Sequence, residues 1–268
     1  MRVALAGAGR MGGALLSGWL EQGLDPASLL VFEPTPSPDL AALAAKSNVR
    51  VAASPDPRDG AVDVLILAVK PQVMAEAAPA YRPLIGPETL ILSIAAGRPL
   101  SFLVGLFGPE TAIVRAMPNT PAAIHRAMTV ACPNRSVGPD QRARADRLLS
   151  AVGEVAWVQD EALMDAVTAV SGSGPAYIFL LAECLAKAGT AAGLPADLAE
   201  RLARATVAGA GELLRRSDES AETLRRNVTS PGGTTQAALD VLMGRDGLES
   251  LMERAVASAT RRSRELAG

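Results

Sequence analysis

Cysteine, histidine, lysine, aromatic residues and net charge are all scarce in this sequence. Two cysteines in 268 residues, Cys132 and Cys184, are too few for a disulfide framework and too far apart for a closely spaced metal site. The expectation is therefore a reducing compartment, the cytoplasm, and no bound metal. His125 is the sole histidine and has no cysteine or acidic neighbour in sequence, so it is read as structural. No Ser-His-Asp, zinc, paired-carboxylate or Walker pattern occurs. With 26 basic against 28 acidic residues the formal charge is -2, which gives no electrostatic footprint for nucleic acid or an anionic membrane. Long hydrophobic runs are lacking too. The longest charge-free stretch, 166–182, is broken by Gly172, Gly174 and Pro175, and the run at 3–6 is too short for a signal-peptide core. Neither a membrane partner nor export is expected.

What is present is aliphatic: 49% of the residues are hydrophobic and only 3% aromatic, enough for a substantial core in two modest domains. Short apolar runs at 3–6, 29–32, 64–69, 90–94 and 112–117 read as buried parallel strands. Segments of helical period, such as 14–21 and 39–46, lie between them, which is βαβ architecture. A further strand pair at 128–132 and 155–158 flanks a helix at 140–152. After Asp160 the strand signals stop, and helices are expected over 163–192, 196–216 and 236–266. The expectation is an α/β fold: a Rossmann-like dinucleotide-binding domain over 1–160, then an all-α domain over 161–268.

Gly7-Ala8-Gly9-Arg10-Met11-Gly12 follows a strand and opens a helix. Glycines there permit a tight turn, close approach of a pyrophosphate and helix packing, and the helix start offers free N–H groups to phosphate. Glu33 stands about 20 residues beyond the last glycine, where a carboxylate binds a ribose diol. That carboxylate favours NAD and repels a 2′-phosphate, whereas Arg10 is placed to hold one; the residues alone leave both cofactors open. Ala68-Val69-Lys70-Pro71 ends the strand at 64–69, on the edge where doubly wound sheets bind ligands. Lys70 is one of only three lysines; it serves a ligand there, or it caps carbonyls or faces solvent. Ala95 and Ala96, and Asn119 within 115–121, sit at two more strand ends, where small groups admit a flat nicotinamide ring or simply serve ordinary turns. Ser171 to Pro175 interrupts an apolar helix, which points to close packing against another backbone or a ligand. Thr229-Ser230-Pro231-Gly232-Gly233-Thr234-Thr235 offers N–H groups and hydroxyls that either bind a carboxylate or cap the following helix. Asp160, Glu161 and Asp165 read as solvated or first-turn charges.

In the order VKPQ, SIAAG, RAMPNTPA, VSGSGPAY and SPGGTT, nearly end to end, the sequence closely resembles the pyrroline-5-carboxylate reductase family. The resemblance implies hydride transfer from NAD(P)H to the cyclic imine of 1-pyrroline-5-carboxylate, giving L-proline, the last step of proline biosynthesis. It favours NADPH (NADP), with NADH (NAD) left open by Glu33. The implied cofactor contacts are Gly7, Ala8, Gly9, Arg10, Met11, Gly12, Glu33, Ala68, Val69, Lys70, Pro71, Ala95, Ala96 and Asn119. The imino acid substrate falls to Val228, Ser230, Gly232, Gly233, Thr234 and Thr235, with Thr235 the catalytic residue beside the ring nitrogen. An intertwined homodimer is implied, and in some members a ring of dimers. Arg10 stands where the family often has asparagine, Ala127 where a glycine is usual, and 54–57 where an asparagine often meets the cofactor ribose. Two rivals share part of the pattern. A β-hydroxyacid dehydrogenase needs a lysine base early in the helical domain, where this chain has 171–175 and no lysine before Lys187. A cofactor-sensing regulator has no need of the SPGGTT turn.

Overall fold

The computed structural model describes residues 1–267. The chain forms two compact units: residues 1–172 together with the end of the chain from Thr260, and Ser173–Ala259.

The first unit is built on one sheet with the order β3-β2-β1-β4-β5-β6-β7-β8. Its strands are β1 (Val3–Ala6), β2 (Leu29–Phe32), β3 (Arg50–Ala52), β4 (Val64–Leu67), β5 (Leu90–Ser93), β6 (Ala112–Met117), β7 (Ala127–Pro133) and β8 (Gly153–Trp157). The first six run parallel, β7 runs antiparallel to β6, and β8 is parallel to β7. Because β1 lies between β2 and β4, the strand order reverses at the carboxyl end of β1, the place where such sheets bind ligands.

Alternation along β1 assigns its two faces. Val3 and Leu5 join Leu15, Leu16 and Trp19 of α1 (Arg10–Glu21), with Leu40 of α2 (Pro38–Ser47) in the same cluster. Ala4 and Ala6 face the opposite cluster, which contains Met74 of α3 (Met74–Ala77), Tyr81, Leu84 and Leu103 of α4 (Leu100–Phe107). Burying each large aliphatic contributes roughly 1.5–3 kcal/mol, so these two layers hold the unit. The Trp19 indole is satisfied inside its layer, donating to the Leu148 carbonyl of α5 (Pro139–Leu149) at 2.8 Å.

The stretch 1–172 of this unit ends with α6 (Met164–Val167) and a wider, π-helical turn over Thr168–Gly172. The second unit carries α7 (Gly174–Ala191), α8 (Ala196–Arg216), α9 (Ala221–Asn227), α10 (Thr234–Leu242) and the first part of α11 (Leu248–Ala267). Among the described residues one stretch, Glu161–Ala191 with mean hydropathy 1.3, is long and apolar enough to cross a membrane by length and composition, and only 6% of its apolar window is buried.

One expectation needs correction, and two elements were not anticipated. The interruption expected at 171–175 is present, as the π-helical turn precedes Gly174. The helix over 236–266 is two helices, because the chain turns so tightly that a Cβ on Gly247 would lie 2.2 Å from the Leu242 carbonyl oxygen. The edge strand β3 and the short helix α9 escaped notice, as three half-exposed and seven mostly polar residues carry little periodicity.

Candidate active site

The glycine loop is folded by its contacts with β4. Gly7, at φ +87°, sits so close that an added Cβ would meet the Ala68 carbonyl and the Val69 nitrogen at 2.9 Å. A Cβ on Gly12 would lie 2.4 Å from the Gly7 oxygen and 3.3 Å from the Ala68 methyl. Gly9 differs: it is the N-cap of α1, is exposed, and has open space where a Cβ would stand. Two glycines thus serve packing, and the middle one keeps the loop surface clear at a helix start with no side-chain cap, which fits a pyrophosphate. Arg10 and Met11 occupy the first turn, Arg10 exposed.

Glu33 follows β2 and is fixed by backbone donors. Its Oε2 accepts from the Ala8 N–H at 2.9 Å and its Oε1 from the Thr35 N–H at 3.2 Å. Those bonds seat one carboxylate against the glycine loop. Nearby, burial pushes the Tyr81 phenol above its ordinary range, with the Glu33 charge adding to the shift.

The ends of β4 and β5 complete the edge. The Ala68 N–H donates to the Ala6 carbonyl at 2.8 Å, and the Ile94 N–H to the Leu67 carbonyl at 3.1 Å, which extends the ladder one step past each strand. Lys70 is exposed at the start of the 3-10 turn Pro71–Val73. Ala95 is buried and Ala96 exposed. Asn119, after β6, is fully engaged: its Oδ1 accepts from the Met128 N–H at 2.9 Å, and its Nδ2 faces the Ser171 carbonyl and hydroxyl, each at 3.3 Å. Its side chain pins the loop to β7 and the π-helical turn. Gly172 packs against a side chain, since a Cβ there would meet the end of Met117 at 2.4 Å. Gly174 has open space at the same position.

In the helical unit the turn before α10 carries the other candidates. Gly232 adopts φ +69°, and the Gly233 N–H closes the turn onto the Ser230 carbonyl at 3.0 Å. Gly233 is the N-cap of α10, so no side chain caps that helix, and Thr234 and Thr235 form its first two positions. The helix start therefore presents N–H groups beside two hydroxyls, an arrangement suited to a carboxylate. Val228 and Ser230 are exposed, Val228 at 65%.

Several polar residues have jobs that spacing did not reveal. Glu161 is no solvated charge: its Oε1 accepts from Arg115 and from the Leu100 N–H, both at 2.7 Å. Arg115 itself is buried. Asp165 accepts from the Ser263 hydroxyl at 2.7 Å and lies 3.6 Å from the Arg264 guanidinium. Asp160 caps the turn at Glu161–Leu163 through the Ala162 N–H at 2.9 Å. His125, left-handed at φ 56°, lies 3.6 Å from the Glu21 carboxylate, an acidic neighbour distant in sequence.

Comparison with known proteins adds independent findings. Residues 161–266 match the family model for pyrroline-5-carboxylate reductase dimerisation, and residues 2–97 match that for NADP oxidoreductase, coenzyme F420-dependent. A pyrroline-5-carboxylate reductase of Pseudomonas aeruginosa is 41% identical over 99% of this chain and 97% of its own. A solved pyrroline-5-carboxylate reductase of Coxiella burnetii, 35% identical, superposes with a TM-score of 0.91 over 100% of this chain and 98% of its own. A pyrroline carboxylate reductase of Plasmodium falciparum, solved with NADP bound, is 26% identical with a TM-score of 0.83, over 100% of this chain and 98% of its own.

Proposed function

The chain belongs to the pyrroline-5-carboxylate reductase family, and from that premise we propose how its own residues divide the work. It is an oxidoreductase that reduces the cyclic imine of 1-pyrroline-5-carboxylate to proline with a nicotinamide dinucleotide. The observation that carries the division is the contrast within the glycine loop, where Gly7 and Gly12 are packed and Gly9 stands open.

The loop N–H groups and the start of α1 hold the pyrophosphate, and Glu33 approaches the adenosine ribose. The ends of β4 and β5, with Lys70, Pro71, Ala95 and Ala96, receive the nicotinamide half. When bound, the reduced dinucleotide supplies the hydride. The turn from Ser230 to Thr235 takes the substrate carboxylate on the α10 N–H groups, and the Thr235 hydroxyl accepts a hydrogen bond from the protonated ring nitrogen. Protonation makes the imine carbon electrophilic, so the protein's main task is orientation and no strong acid or base is needed. NADPH is a usable cofactor on this reading, supported by the NADP bound to the Plasmodium falciparum relative; Glu33 is the residue that favours NADH.

The working form is an intertwined homodimer in the cytoplasm, in which each site takes its dinucleotide edge from one protomer and its substrate turn from the other. Supporting this, Ile178, Phe179, Leu180 and Leu181 of α7 are all exposed in the single chain, Phe179 at 68%. Apolar surface of that extent belongs under a partner. The test of the reaction is oxidation of NADPH or NADH by the purified protein with and without pyrroline-5-carboxylate. Substrate-dependent oxidation is expected, and its absence in demonstrably folded protein would refute the assignment.

A further inference from the structure

Arg98 has no part in the division of labour above, yet it joins two of its elements. Gly97, at φ +70°, turns the chain back immediately after Ala95 and Ala96. The Arg98 Nε then donates to the Pro71 carbonyl at 3.0 Å. Its guanidinium carbon lies 4.6 Å from the centre of the Phe102 ring on α4, so a cation–π contact anchors the side chain as well. Paired register between β4 and β5 ends at Leu67 and Ser93, and the Ile94 N–H to Leu67 bond is the last backbone link beyond it among the described residues. Past that point no backbone hydrogen bond joins the two loops assigned to the cofactor among the described residues, and the Arg98 side chain links them.

We propose that Arg98 is a positioning residue, which sets the gap between the Lys70–Pro71 turn and Ala95–Ala96 and thereby tunes cofactor affinity. The inference rests on the reductase reading and deepens it. Arg98 meets the Pro71 backbone carbonyl, so it acts through Pro71 and need not touch the reacting atoms. Arg98→Lys keeps a cation near Phe102 and a donor for the carbonyl. Arg98→Met keeps only the apolar stem.

The experiment measures the dissociation constant of NADPH and of NADH by calorimetry on wild type and both variants, alongside steady-state kinetics and melting temperature. Arg98→Met should raise the cofactor dissociation constant and KM roughly threefold to tenfold, the scale of a partly exposed charged hydrogen bond. The kcat at saturating cofactor and the KM for pyrroline-5-carboxylate should stay near wild type, and Arg98→Lys should recover most of the affinity. Unchanged cofactor affinity in Arg98→Met overturns the proposal. So does parallel loss of cofactor affinity, substrate affinity and melting temperature, which marks a merely structural brace. If wild type itself binds no cofactor and reduces no imine, the reductase reading fails first and the proposal with it.

Discussion

Three glycines in one loop illustrate how far single residues could be read. Their spacing announced a dinucleotide loop, but which glycines are packed and which one stands open became visible only against Ala68 and Val69. The distinction predicts different failures. Gly12→Val should destabilise the fold, because its Cβ would collide with the Gly7 oxygen. Gly9→Val should leave the melting temperature nearly unchanged while raising cofactor KM by tenfold or more, on the order of one lost phosphate contact. Thermal melts beside cofactor titrations separate the two. Glu33 was legible from its position, and its bonds to the Ala8 and Thr35 N–H groups were not. Like charges about 4 Å apart in water repel by about 1 kcal/mol, so Glu33→Ala should shift the kcat/KM ratio toward NADPH by about fivefold. An unchanged ratio removes Glu33 as the selector. Thr235→Ala should lower kcat while cofactor affinity persists; equal loss of both would contradict the assignment of Thr235 to the substrate turn.

At the scale of elements, hydrophobic runs located the long buried strands because each strand of a two-faced parallel sheet is apolar throughout. The half-exposed edge strand β3 lacked that signal. Glu161 and Asp165 do stand in first turns, but their remote partners were not legible: Arg115 and Glu161 meet across 46 positions, and Ser263 meets Asp165 across 98, separations that local pattern does not encode. The second pair has a consequence for α11, which begins in the helical unit and ends in the first. Ser263 is one of few buried polar side chains, 6% exposed, and it seats the end of α11 on α6. Ser263→Ala leaves one Asp165 oxygen without that donor and should cost about 1 kcal/mol of stability. Denaturant unfolding checks this, and an unchanged midpoint would show that the contact contributes nothing.

For the molecule as a whole, composition and motif order conveyed the fold class, the reaction and the two-unit plan, and the apolar stretch 176–182 already marked more helix surface than one small domain would cover. In the single chain the residues from Ile178 to Leu181 are indeed exposed, and they lie within the stretch 161–266 that matches the dimerisation model. The central claim is that each site is assembled from the dinucleotide edge of one protomer and the Ser230 to Thr235 turn of another. Its most direct test co-refolds Gly9→Val and Thr235→Ala subunits in equal amounts and measures pyrroline-5-carboxylate reduction at a cofactor concentration well below the raised KM of Gly9→Val, where that parent is nearly inactive. Random pairing makes half the dimers mixed, each with one of its two sites intact, so about a quarter of wild-type activity should return. Verified heterodimers no more active than either parent would contradict the shared site.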